Sequence, residues 1–243
     1  LIIKKTKNMR EKGILSSRAT VTNNNLDMIS TFEHLYDLNF RAIPIVPAYN
    51  SLKQDDYDNV ENAYSALIDY FENLIKVGDF EKANKMTIIK NSLKRIHTGY
   101  DRNVSCGVGN GSCAVDINGE LYPCHRFVSS KEHKIGDIYN GFEGRKEFIK
   151  SVNVENDKEC SECWAKNLCV GGCPNETMDY KKNKSEDKFN ICEITKFIYE
   201  NLKFAYDFRK NCGEEGVCKK IYIKPYRYST YMLPESILLE CGN

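Results

Sequence analysis

The segment from Cys160 to Cys173, CSECWAKNLCVGGC, carries four cysteines at the spacing C-x2-C-x5-C-x3-C. A thiolate is a soft anionic donor that binds zinc or iron–sulfur iron in groups of four. The close first pair lets two sulfurs point at one metal. Gly171 and Gly172 permit the positive φ angles with which a chain wraps a metal group and turns N–H groups toward its sulfurs. Outside this segment, Cys106, Cys113, Cys124 and Cys192 stand where they could complete two four-ligand sites. The chemistry implied is metal binding by thiolates, and the competing account is buried or disulfide-linked cysteine.

Composition narrows the setting. The chain has 243 residues, 41% of them hydrophobic and 28% charged, which suits one large globular domain or two smaller ones. With 35 basic and 34 acidic residues there is no net field to mark a nucleic-acid or membrane binder. No signal peptide and no apolar run of membrane-spanning length is visible. Eleven cysteines without secretion features point to a reducing compartment, the cytoplasm, where metal binding accounts for them better than disulfides. The chain opens on Leu1 in a polar basic stretch, so a fragment of a longer protein is expected.

The elements that must position these thiols fall into two regions. Residues 14–22 read as a strand, followed by the turn signal Asn23-Asn24-Asn25. Ile29, Phe32, Leu35 and Leu38 then repeat at helical spacing, with Asn25 as the expected N-cap. Residues 41–47 form a second strand, in which Pro44 must sit at an edge or a bulge. Together these make one βαβ unit, too small to bury both faces of its sheet. Two helices are expected next, one with Val60, Tyr64, Leu67, Phe71 and Leu74 inward. The other carries Phe80, Ala83, Met86, Ile89, Leu93 and Ile96, with Gly78 and Asp79 as C′ and N-cap between the two. From Cys106 to Cys192 the chain turns cysteine- and glycine-rich, and AVDINGELYPC over 114–124 reads as a hairpin around Asn118-Gly119. A last helical pattern runs through Ile194, Phe197, Ile198, Leu202, Ala205 and Phe208, before a tail with two prolines over 221–243.

Written out, the cysteines follow C-x12-G-x4-C, then C-x2-C-x5-C-x3-C, then a final Cys192. This resembles the SPASM domain that follows the barrel of many radical-SAM enzymes and holds two auxiliary 4Fe–4S clusters there. GNGSCAVDINGELYPCHRF and CWAKNLCVGGCPNE resemble the two halves of that domain in peptide maturases that install thioether links, and residues 134–138, KIGDI, resemble the segment between them. RATVTNNNLDMISTFEHLYDLNFRAIPIVP resembles the penultimate βαβ unit of the partial barrel in the same enzymes. The likeness spans roughly residues 14–208. It implies an α/β fold: the terminal βαβ portion of a partial TIM-like barrel with a helical extension (1–100), a SPASM domain (101–210) and a tail (211–243).

The resemblance also implies ligands. Carried over, Cys160, Cys163, Cys169 and Cys192 hold one cluster, and Cys106, Cys124 and Cys173 hold the other, nearer the barrel. The fourth position of the second cluster varies in the family, being either a cysteine or an iron left open to a substrate thiolate. Cys113 is the local candidate, or else a small strand residue. A two-residue Asn118-Gly119 loop would pair Cys113 directly with Cys124, and a bulged turn would not. Arg18 on the first strand either grips the carboxylate of S-adenosylmethionine or faces solvent. His125 either reaches a cluster sulfur or faces solvent, and Trp164 is expected to shield a cluster from water. Cys212, Cys218 and Cys241 have no place in the motif.

The family's catalytic cluster is held by C-x3-C-x2-C near the start of the barrel, and the first cysteine here is Cys106. The chain therefore reads as the carboxyl-terminal half of a radical-SAM enzyme acting on a ribosomally made peptide. S-adenosylmethionine and a third 4Fe–4S cluster belong only to the full-length protein. The partners implied are a precursor peptide or protein substrate and an electron donor such as flavodoxin or ferredoxin, with neither nucleic acid nor membrane. Two alternatives stay open: a non-catalytic zinc module, whose thiolates would satisfy the same spacing, and an electron-transfer or peptide-docking fragment serving a separate radical-SAM chain.

Overall fold

Asp27, not Asn25, caps the helix of the βαβ unit, because its side chain accepts from the Ser30 N–H at 2.9 Å. The structure, a computed structural model, describes residues 2–98, 102–183, 185–211, 219–223 and 237–240, with backbone alone beyond residue 202. Behind two short helices, α1 (Ile2–Lys5) and α2 (Lys7–Glu11), strands β1 (Ala19–Val21) and β2 (Ile45–Pro47) pair in parallel, Ala19 opposite Ile45. Helix α3 (Met28–Asp37) makes the crossover. Pro44 stays outside the strand and offers its carbonyl to the Ala19 N–H at 3.0 Å, as a residue without a donor must.

Helix α4 (Tyr57–Lys76) buries all five of its expected apolar positions, from Val60 to Leu74. Gly78, at φ +81°, ends it, and Asp79 caps the next helix by accepting from the Lys82 N–H at 3.1 Å. The expected single helix after Asp79 is in fact two, α5 (Phe80–Lys85) and α6 (Thr87–Thr98). At the break the Lys85 carbonyl accepts from the Ile43 N–H at 2.9 Å, so the chain leading into β2 takes the acceptor that a continuous helix would have used. Phe32, Ile43, Ile45, Leu67, Met86 and Ile89 close around one small apolar gap.

The cysteine-rich region contains a four-stranded antiparallel meander, β3 (Ala114–Val115), β4 (Glu120–Tyr122), β5 (Gly136–Asp137) and β6 (Gly141–Phe142). Its core is Val108, Leu121, Tyr122, Phe127, Ile135 and Phe148, the last from α7 (Arg145–Ser151). Short helices α8 (Lys158–Ser161) and α9 (Lys166–Cys169) and the longer α10 (Pro174–Lys182) follow, then α11 (Ile191–Asn211). Backbone pairing joins β7 (Lys219–Ile223) to β8 (Ile237–Glu240) within the tail.

The chain divides into two compact units, residues 1–98 with 192–243, and residues 99–191. The first boundary lies where the change at Tyr100 suggests. The second differs from the expected 210: α11 belongs with the first unit, where Ile194, Ile198, Tyr199 and Leu202 are buried and Arg95 donates to the Tyr199 hydroxyl at 3.1 Å. Among the described residues the architecture is mixed α/β, mostly helical, with three small sheets and no barrel.

Gly136 shows how tightly the meander is drawn. Its φ is +142°, and a Cβ there would lie 1.9 Å from the Gly141 carbonyl oxygen. Gly136→Ala is expected to destabilise this unit by roughly 3 kcal/mol or more. Urea unfolding should show a clearly lowered midpoint, and an unchanged midpoint would contradict so close an approach.

Candidate metal centre

The thiols are organised around α10. Cys173 is its N-cap residue and Pro174 takes the first helical position, where no N–H is needed. Just before it, Val170, Gly171 and Gly172 all have positive φ, at +54°, +76° and +62°. This run turns the chain back between Cys169 and Cys173. A β-branched valine in that region is strained by about 1–2 kcal/mol, and its near-complete burial holds it there. The Thr177 hydroxyl donates to the Gly171 carbonyl at 2.7 Å and the Thr177 N–H to the Cys173 carbonyl at 2.9 Å, fastening the loop to the helix.

The turn after Cys124 is docked on the start of α10. Arg126 reaches the Cys173 Sγ at 3.1 Å and the Glu176 Oε1 at 2.7 Å through the same Nη1, and the Asn175 side chain donates to the Arg126 carbonyl at 3.2 Å. Cys124 itself packs at the edge of the core formed by Leu121, Tyr122 and Phe127. Two segments far apart in sequence are thereby joined beside two thiols.

A second arrangement sits at the other end of the helix. Lys181 bonds the Asp157 carboxylate and approaches the Cys160 Sγ at 3.4 Å. Asp157 is the N-cap of α8 and accepts from the Cys160 N–H at 2.8 Å. Burial pushes the Cys160 thiol up, and the pull of Lys181 in the other direction does not overcome it. For Asp157 burial also works upward, but the bonds from Lys181 and the Cys160 N–H win and hold the carboxyl below its ordinary range. Burial works against the Lys181 charge, but its bond to Asp157 together with the nearby Cys160 and Asp157 outweighs this and raises it. Cys173 and Lys181 lie about 12 Å apart along the helix axis.

Cys163 donates its N–H to the Cys160 carbonyl at 3.1 Å, giving the expected tight first pair, and Cys169 closes α9. All eight described cysteines are thiols outside any disulfide, with Cys106 and Cys113 exposed and the other six half-buried. No three Cys, His, Asp or Glu side chains converge on a single ion position among the described residues. Cys192 opens α11 in the other unit.

The remaining singled-out residues take the following positions. The hairpin pairs Ala114 with Tyr122 and Val115 with Leu121, a register in which Cys113 and Cys124 do not face each other. Cys113 and Cys124 are thus one residue out of step, and the direct pairing fails. Arg18 is exposed and precedes β1 instead of standing on it. His125 is exposed, and its neighbour Arg126 makes the sulfur contact considered for it. Trp164 is 51% exposed, so it shields little from water. Cys212, Cys218 and Cys241 lie outside the described residues.

The features that bear on thiol chemistry are reduced cysteines, a positive-φ turn between Cys169 and Cys173, and cations bonded to the Cys173 and Cys160 sulfurs. Arg126, Asp157, Glu176 and Lys181 were not apparent as site residues from sequence. The Asp-x-x-Cys pattern of an N-cap ahead of Cys160 is the one signal that could have found Asp157. No protein-family model matches this chain, and a search of curated proteins finds no match.

Proposed function

We propose that this chain is the auxiliary-cluster part of a radical-SAM enzyme that modifies a ribosomally made peptide, and that it holds two 4Fe–4S clusters. One is ligated by Cys160, Cys163, Cys169 and, by resemblance, Cys192; the other by Cys106, Cys124 and Cys173. The observation that carries the reading is the separation of Cys160 and Cys173. Cys173 is tied to the Cys124 turn at the start of α10, and Cys160 is tied to Lys181 near its end. Such an interleaved division supports two sites instead of one.

Bound there, such clusters supply one-electron transfer or an open iron for a substrate thiolate. The chain's own residues fix the ligands. Pro174 and Thr177 set the Cys173 backbone, Asp157 holds the Cys160 N–H, and the Gly171-Gly172 turn carries the chain from Cys169 to Cys173. With Cys113 out of step, the second cluster keeps a position open. The substrate class is a peptide or protein, and an external flavodoxin or ferredoxin supplies electrons.

Anaerobically reconstituted protein is expected to contain roughly eight irons and eight sulfides per chain. Elemental and sulfide analysis checks this. Stoichiometric zinc without acid-labile sulfide, in protein made with ample iron, would sink the cluster reading.

A further inference from the structure

Large apolar side chains lie exposed at one end of the meander in the cysteine-rich unit. Among the described residues eleven large hydrophobics are exposed, and Val115, Ile117, Ile138, Tyr139 and Phe142 are five of them, crowded into residues 115–142. The β3–β4 and β5–β6 turns stand side by side at that end, since Glu120 pairs with Asp137 and the Ile138 N–H donates to the Gly119 carbonyl at 2.9 Å. The Ile138 side chain lies over Gly119, where a Cβ would approach it to 2.8 Å. Val115 and Phe142 end one cross-strand row that runs through Leu121 and Gly136. Ile117 is fully exposed and Tyr139 is 85% exposed, at turn positions where polar residues are the rule. Neither gains burial from the fold, and apolar residues gathered in this way mark a contact surface.

Both turns are braced from within. Asp116 accepts from the Asn118 and Glu120 N–H groups, and Asp137 from the Tyr139 and Asn140 N–H groups at 2.9 and 2.8 Å, so little ordering remains to oppose binding. The Arg145 guanidinium, tied to the Gly109 and Asn110 carbonyls, backs the Phe142 ring at 4.8 Å. With these carboxylates engaged in the turns and Glu120 paired with Lys134 at 3.1 Å, this end offers apolar area more than charge and complements a surface like itself. At a formal net charge of +1, two copies of the chain scarcely repel one another. At about 150–250 Å² for a large side chain, the five expose roughly 600 Å². Two copies face to face would bury about 1,200 Å², the area at which stable interfaces begin. We propose that this end of the meander is the interface of a two-fold homodimer, each copy setting its Tyr139 ring against the apolar end of the other. Metal binding by the thiols plays no part in it.

Sedimentation velocity of the full chain across the micromolar range, with its thiols kept reduced, tests this. An interface of that size is expected to give a micromolar dissociation constant, the mass rising with concentration from 28.0 kDa toward twice that value. Ile117→Lys and Tyr139→Lys are each expected to weaken the dimer by roughly tenfold or more. Both side chains are exposed in the fold, so both variants are expected to keep the wild-type urea midpoint. Where a lysine variant lowers that midpoint, Ile117→Asn, a turn-forming substitution, takes its place with the same reading. Ile14→Lys, at an exposed apolar position in the other unit, is expected to leave the dimer intact. A chain monomeric throughout the range overturns the proposal, as does a dimer that survives both turn variants or dissociates equally in Ile14→Lys. If the monomer instead floats with phosphatidylcholine vesicles and Ile117→Lys does not, a lipid surface is the occupant and the second copy is excluded.

Discussion

Cys163→Ala and Cys124→Ala are each expected to remove about four irons from reconstituted protein, whereas Cys113→Ala removes none. Cys163 belongs to the tight pair with Cys160, whose backbone is held by the Asp157 cap, so in the proposed division its loss takes one sulfur from the Lys181-side site. Cys124 is half-buried against the core of the cysteine-rich unit, and the following turn is fastened to α10 through Arg126 and Asn175. In the proposed division its loss takes one sulfur from the Cys173-side site. Cys113 is exposed and, in the hairpin register, one residue out of step with Cys124. Mössbauer spectra with iron analysis of the three variants separate these outcomes. Equal iron loss in Cys113→Ala and Cys124→Ala would make Cys113 an ordinary ligand and end the open-site idea for this protein.

The register of that hairpin shows where sequence reading reaches its limit. Asn118-Gly119 was a correct turn signal, but it did not specify loop length. The Asp116 carboxylate accepts from the Asn118 and Glu120 N–H groups, both at 2.9 Å, and this local bonding opens the loop to three residues with Gly119 left-handed at φ +80°. Elements governed by their own residues were legible: the α4 stripe, the Gly78 stop and the Asp79 cap follow from period and capping alone. The nearby choice of Asp27 over Asn25 went the other way because Asp27 has Ser30 within reach of both its oxygens.

What depended on distant partners was not legible. The break at Met86 has no glycine or proline to announce it; its cause is the Ile43 N–H arriving from another element. Neither Arg126 nor Lys181 stands out in the sequence. Their roles appear only when α10 brings Cys173 and Cys160 beside them. The cysteine spacing is legible because it is a local property of the sequence. The cations bonded to those thiols are a tertiary property, separated from their sulfurs by 47 and 21 residues.

Reduced, reconstituted protein is expected to form no 5′-deoxyadenosine from S-adenosylmethionine above buffer controls. Cleavage in radical-SAM enzymes requires a cluster held by C-x3-C-x2-C with one iron free for the cofactor's amino and carboxylate groups. None of these 243 residues before Cys106 is a cysteine, so the triplet is absent from this sequence. The parallel pairing described here is limited to β1 and β2, and Arg18, the candidate carboxylate contact, is exposed ahead of β1. The SPASM-like cysteines do not substitute, because hydrogen abstraction needs reacting atoms within about 3–3.5 Å, and it is the barrel that would align them. A polypeptide joining a triplet-bearing barrel to this chain is expected to produce 5′-deoxyadenosine, and more of it with the peptide substrate present. Chromatographic assay of both proteins under the same reductant makes the comparison. Turnover by the 243-residue chain alone would mean that one of its auxiliary sites binds S-adenosylmethionine, and the division of labour proposed here would have to be abandoned.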